Sequence, residues 1–154
     1  MEISDLLAPE GVSADLKATS KKQALQDLAR RASEVSDLPE RAIFDVLMER
    51  ERLGTTGVGN GIAIPHGKLP NLDRLHGFFA RLNQPIDFQA IDERPVDLIF
   101  VLLAPETAGA DHLKALALIS RLLRDQAVCE KLRGTDGAEA LYAILIESEE
   151  DRAA

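Results

Sequence analysis

The run Val96-Asp97-Leu98-Ile99-Phe100-Val101-Leu102-Leu103-Ala104 constrains this chain more than any other feature. Successive strand residues face opposite sides of a sheet, and here both sides are apolar. Such a strand must be covered on both faces, which puts helices above and below a sheet. Pro105 ends the run, because proline has no N–H to give to a central ladder. Helical patterns stand on either side of it in the sequence. Ser20-Lys21-Lys22-Gln23 is a capping-box pattern, followed by Ala24, Leu25, Leu28, Ala29 and Ala32 at helical spacing. Leu38-Pro39 opens a second helix with the stripe Ala42, Ile43, Val46 and Leu47, ending in Glu49-Arg50-Glu51-Arg52. Strands alternating with helices predict an α/β (α+β) fold, a mixed sheet covered by helices.

The other elements are shorter. Ile3 to Leu7 and Val12 to Leu16 read as two strands or one extended arm, split by Pro9-Glu10-Gly11. Ile62-Ala63-Ile64 reads as a short strand stopped at Pro65, and Gly77 to Leu82 as another. Ile86 to Ile91 is a turn or edge segment. Asp111 is the expected N-cap of a helix from about His112 to Asp125, with Leu113, Leu116, Ala117, Ser120, Leu123 and Arg124 on one face and its flank, and Ile119 and Leu122 beside it. Val128 to Leu132 forms a helical piece closed by Gly134. Thr135 then caps a last helix carrying Leu141, Tyr142 and Leu145. The expected organisation is one domain over 1–146 and an acidic, disordered tail over 147–154.

Charge and composition remove several functions. The chain of 154 residues carries 26 acidic against 18 basic side chains, a formal −8. With no basic stripe it is a poor grip for nucleic acid, and 4% aromatics without Trp offer few stacking platforms. The single Cys129 cannot pair internally, and no Cys/His cluster suggests zinc. The N-terminus lacks a signal-peptide pattern, and no apolar run is long enough to span a bilayer. The expectation is a cytoplasmic protein without direct membrane insertion.

The chemistry gathers where helical period vanishes. Leu53 to Gly67 reads LGTTGVGNGIAIPHG, five glycines in fifteen residues. His66 stands at the end of the short strand, beside Pro65 and Gly67; His112 follows the long strand and lies in the first turn of a helix. If those strands are neighbours, both rings meet at one sheet edge, where α/β proteins place sites. His76, in a polar turn, reads as structural or exposed.

Metal binding is disfavoured, since no His pair has ligand spacing, although Asp111 or Glu106 could add a carboxylate. No G-x-S-x-G occurs for a hydrolase, and neither nucleotide fingerprint has its spacing. The reading that needs no metal or cofactor is a histidine nucleophile for a phosphoryl group. The glycine-rich loop or a helix N-terminus would supply amides for the phosphoryl oxygens, and Arg50 or Arg52 a cation.

Arg50-Glu51-Arg52-Leu53-Gly54-Thr55-Thr56-Gly57-Val58-Gly59-Asn60-Gly61-Ile62-Ala63-Ile64-Pro65-His66-Gly67 resembles the active-site segment of the fructose/mannitol-class enzyme IIA family of the bacterial phosphoenolpyruvate:sugar phosphotransferase system. Pro65-His66-Gly67-Lys68-Leu69, Pro85-Ile86-Asp87-Phe88, Pro95-Val96-Asp97-Leu98, Leu103-Ala104-Pro105-Glu106 and Gly109-Ala110-Asp111-His112-Leu113-Lys114-Ala115-Leu116 look more like its nitrogen-regulatory branch. The similarity runs from about Ile3 to Leu145. It implies a mixed, mainly five-stranded sheet flanked by helices. It implies His66 as phosphoryl acceptor, through Nε2, from the histidine of an HPr-like carrier charged by enzyme I. His112 would hydrogen-bond the phosphoryl oxygens, and Arg50, sixteen residues before His66, would be the active-site arginine. The implied output is regulation of targets such as potassium transporters or sensor kinases. The alternatives are a sugar-permease IIA passing phosphate to a IIB domain, and a binding module that is never phosphorylated.

Overall fold

The computed structural model describes the backbone of residues 1–153 and the side chains of residues 1–147. Its elements in chain order are α1 (Ile3–Leu6), β1 (Leu7–Leu16), α2 (Lys21–Ser36), α3 (Glu40–Leu53), β2 (Gly57–Gly59), β3 (Ile62–Ala63), β4 (His66–Leu69), β5 (His76–Ile86), β6 (Val96–Pro105), α4 (Ala110–Leu123), α5 (Gln126–Gly134) and α6 (Ala138–Ala153).

β6 is the buried centre of the sheet, as its composition demands. Its residues from Leu98 to Ala104 are at most 1% exposed. Their side chains alternate between two cores. Ile99, Val101 and Leu103 pack with α2 and α3 on one face. Leu98, Phe100 and Leu102 pack with α4, α5 and α6 on the other. The mixed sheet runs β1-β5-β6-β3-β2, with β5 antiparallel to β6 and β3 parallel to it, while β4 also pairs with β6 in parallel.

β3 and β4 occupy one strand position interrupted in the middle. Their register against β6 is unchanged across the break: Ile62 faces Leu98, Ala63 faces Ile99 and His66 faces Leu102. Pro65 has no N–H, so the ladder lapses at Ile64-Pro65 and resumes at His66. The Pro65 carbonyl still accepts from the Leu102 amide at 3.0 Å. Six strands therefore fill five positions, in keeping with the expected mainly five-stranded sheet.

Several local expectations are corrected. Ile3–Leu6 is a helical turn, and β1 is one continuous strand through Pro9 and Gly11. Asn60 and Gly61 both have positive φ, 57° and 81°, and close a two-residue hairpin between β2 and β3. Gly109, not Asp111, stands at the N-cap of α4, so Asp111 falls in its first turn. The buried face of α4 is His112, Ala115, Ile119, Leu122 and Leu123, whereas Leu113 is 71% exposed. Thr135 follows α5 as its C-cap and does not cap α6. In α2 the capping pattern is realised with one shift. Ser20 accepts from the Gln23 amide, but the Gln23 side chain reaches back to Thr19. The tail over 147–154 falls, beyond Glu147, outside the fully described residues. Among the described residues no helix is long and apolar enough to cross a membrane.

Candidate functional site

His66 opens β4, beside the C-terminal half of β6, and His112 sits in the first turn of the helix that follows β6. Because β4 and β6 are paired neighbours, the two rings meet edge to face with centroids 5.7 Å apart. His66 is half-buried and His112 buried.

The proton on His66 is fixed by its neighbours. Nδ1 lies 2.8 Å from the Ile64 carbonyl oxygen, which can only accept, so Nδ1 carries the hydrogen. The lone pair is left on Nε2. Arg50, in the last turn of α3, donates its Nε–H to that nitrogen at 3.3 Å, and its Nη1 donates to the Gly54 carbonyl at 2.8 Å. Arg50 is half-buried while Arg52 is exposed, which decides between the two candidate cations. Among the described residues Nε2 of His112 is a buried polar atom without a hydrogen-bond partner. A donor or acceptor held dry beside a nucleophile costs stability unless something arrives to meet it.

Burial holds both imidazoles below their ordinary range. For His66 the Arg50 charge adds to desolvation, opposed by the Ile64 hydrogen bond and the Glu51 carboxylate. For His112 desolvation is joined by the charges of His66 and Lys68. Both rings are thus neutral near pH 7, the state a nucleophile requires. Below about pH 6.5 the unfolded chain binds protons that the folded site refuses. Stability should therefore fall as pH drops through the interval between that value and the depressed folded values. Urea midpoints at about pH 7.5 and pH 5 check this; the wild type should lose more than His66→Gln/His112→Gln between them.

Three amides of the glycine-rich segment are committed internally: Thr56 to Glu51 at 3.0 Å, Gly57 to Thr55 Oγ1 at 3.1 Å, and Asn60 to Asp92 at 2.9 Å. The segment is a hairpin that aims His66. Sequence reasoning missed what anchors it. Glu51, within the charged run that ends α3, is buried and paired with Lys21 at 2.7 Å. The partners stand thirty positions apart in the sequence, and no local pattern joins them. His76 lies apart from the site, bonded to Asp73 and stacked on Phe78. Cys129 is buried in α5, where burial pushes its thiol pKa up. Among the described residues no three His, Cys, Asp or Glu side chains are grouped to hold a metal ion.

A family model described as phosphoenolpyruvate-dependent sugar phosphotransferase system, EIIA 2, matches residues 5–148. A nitrogen regulatory protein of Bradyrhizobium diazoefficiens is 61% identical over 145 residues, covering 94% of this chain and 95% of the relative. One from Escherichia coli K12 is 40% identical over 150 residues, covering 97% and 92%. The solved nitrogen regulatory protein IIA-Ntr of Neisseria meningitidis superposes with a TM-score of 0.87 at 35% identity, over 93% of this chain and 98% of that one.

Proposed function

Since the chain belongs to the phosphoenolpyruvate-dependent sugar phosphotransferase system EIIA 2 family, we propose that His66 is the residue through which it acts as a regulatory phosphoryl carrier. The observation that carries this reading is the tautomer: Nδ1–H is spent on Ile64, and the Nε2 lone pair lies beside Arg50 and His112. The neutral Nε2 attacks the phosphorus of a phosphohistidine on an HPr-like carrier, itself charged from phosphoenolpyruvate through enzyme I. The new P–N bond forms on His66 as the donor's P–N bond breaks and its electron pair returns to the donor imidazole. Arg50 then turns its Nε–H from the ring nitrogen to the phosphoryl oxygens, where it meets formal negative charge. His112, with Nε2 protonated, gives the same group a donor that has no other partner.

The output is a change of charge. A phosphoryl group adds up to about two negative charges to an already acidic protein. Targets with acidic contact faces, for example on potassium transporters or sensor kinases, would then distinguish the two states.

Phosphoenolpyruvate, enzyme I and the carrier should load the protein with one acid-labile phosphoryl group. Peptide mapping should place it on His66, and phosphorus NMR on Nε2. A label on another residue, or none, overturns the reading. His112→Ala should still accept the group, at a rate lower by on the order of 10². Unchanged single-turnover kinetics would remove His112 from the site. Onward transfer to added IIB proteins, tested in the same assay, would favour a sugar-permease role over a regulatory one.

A further inference from the structure

We propose that Glu51, clamped by Lys21, is a positioning residue that holds both partners of the His66 imidazole in place. The inference rests on His66 being the acceptor.

The connection runs through a chain of hydrogen bonds. Glu51 Oε1 accepts from Lys21 Nζ at 2.7 Å and from the Thr56 amide at 3.0 Å, while Oε2 accepts from the Thr56 hydroxyl. The Thr56 carbonyl accepts from the Ile64 amide at 3.0 Å. The Ile64 carbonyl accepts from His66 Nδ1. On the other side, Glu51 is the residue after Arg50 on α3, and Arg50 meets Nε2. One carboxylate thus ties the helix that presents the cation to the hairpin that fixes the tautomer.

Stability alone does not account for the arrangement. A buried ion pair recovers its desolvation cost poorly, and apolar residues of similar volume often serve as well or better. The Glu51 side chain is only 3% exposed and that of Lys21 15%. Lys21 is also the first residue of α2, where the helix dipole disfavours a cation, and its Nζ lies 4.9 Å from the Phe88 ring centroid. The pair sits in an unfavourable place for α2 and in a useful one for His66. Two hydrogen bonds to one threonine give direction as well as attraction, which an apolar contact would lack.

The test reads the imidazole directly. Nitrogen NMR of unphosphorylated wild type should show His66 as a single Nδ1–H tautomer. Glu51→Gln should shift those resonances toward a mixture of tautomers and slow phosphoryl uptake by about 10- to 100-fold. Thr56→Val, a milder change, should move both readouts the same way by less. The apolar pair Lys21→Met/Glu51→Leu should regain the urea midpoint of wild type while keeping the mixed tautomer and slow uptake. If Glu51→Gln and Thr56→Val keep the wild-type tautomer, or if the apolar pair restores uptake along with stability, the proposal fails. The tautomer is read without phosphate, so a failure of His66 as acceptor would appear separately, in the uptake of wild type.

Discussion

Replacing His66 with alanine should abolish phosphoryl uptake from a phosphorylated HPr-like carrier, a loss of at least about 10³-fold in rate, because on the proposed reading the substitution removes the nitrogen to which the phosphorus bonds. Among the described residues the other histidines and the cysteine are poorly placed to substitute. His112 is buried, and its Nε2 is shielded from solvent. His76 is engaged by Asp73 and Phe78, and Cys129 is buried with its thiol held neutral. The fold should survive, since a half-buried ring at the start of a strand contributes contacts without anchoring either core. Arg50 keeps its bond to the Gly54 carbonyl. The measurement is acid-labile label per protein, with circular dichroism and a urea midpoint close to wild type as the control. A variant that folds and still gains the label equally would show that the phosphoryl group goes elsewhere.

The charge carried by the body of the protein bears on this exchange. Glu147, Glu149, Glu150 and Asp151 against Arg152 contribute −3 of the formal −8, so the domain itself is about −5. Arg50 stands at His66 Nε2 as a positive charge on a domain of net negative charge. A donor with a basic face would be steered to the domain broadly, with the phosphoryl group focused on that one guanidinium.

How much could be read before the coordinates depended on whether the signal was local. The apolar strand β6, the cap at Ser20 and the placement of His66 and His112 at one sheet edge follow from residues near each other in sequence or from a single pairing assumption. The phase of α4 did not, because Leu113, Ala115, Leu116, Ala117, Leu118, Ile119, Leu122 and Leu123 ring almost the whole helix. Periodicity cannot choose a face there. The sheet chose one starting at His112, one residue from the expected set starting at Leu113 and so about 100° around the axis. That rotation is also what turns His112 inward. The Asn60-Gly61 hairpin carried a legible signal, two positive-φ residues between short apolar segments, hidden by the glycine density around it. The Lys21–Glu51 pair carried none, as tertiary packing alone brings α2 against the end of α3.

Gly67→Ala, a change of one methyl group beside the acceptor, should destabilise the protein by about 1–3 kcal/mol, the usual cost of overpacking. A Cβ on Gly67 would approach Val46 Cγ1 to well under 3.0 Å, with Val46 Cβ at 3.5 Å and its carbonyl carbon at 3.8 Å. Val46 cannot easily turn aside, because a β-branched residue in a helix is held in one strongly preferred rotamer. The helix α3 must move instead. Arg50 lies one turn beyond Val46 on that helix, so the displacement carries the guanidinium off His66 Nε2. Loss of stability and slower phosphoryl uptake should therefore appear together. Val46→Ala removes the colliding methyl groups; in the double variant Gly67→Ala/Val46→Ala the two destabilisations should sum to less than their separate values, by about 0.5–3 kcal/mol of coupling. Uptake should recover in parallel. Urea denaturation of the four proteins in the cycle, with single-turnover uptake on each, checks both parts. Strict additivity would mean that α3 does not rest on Gly67, and that the distance from Arg50 to His66 is set by something other than this contact.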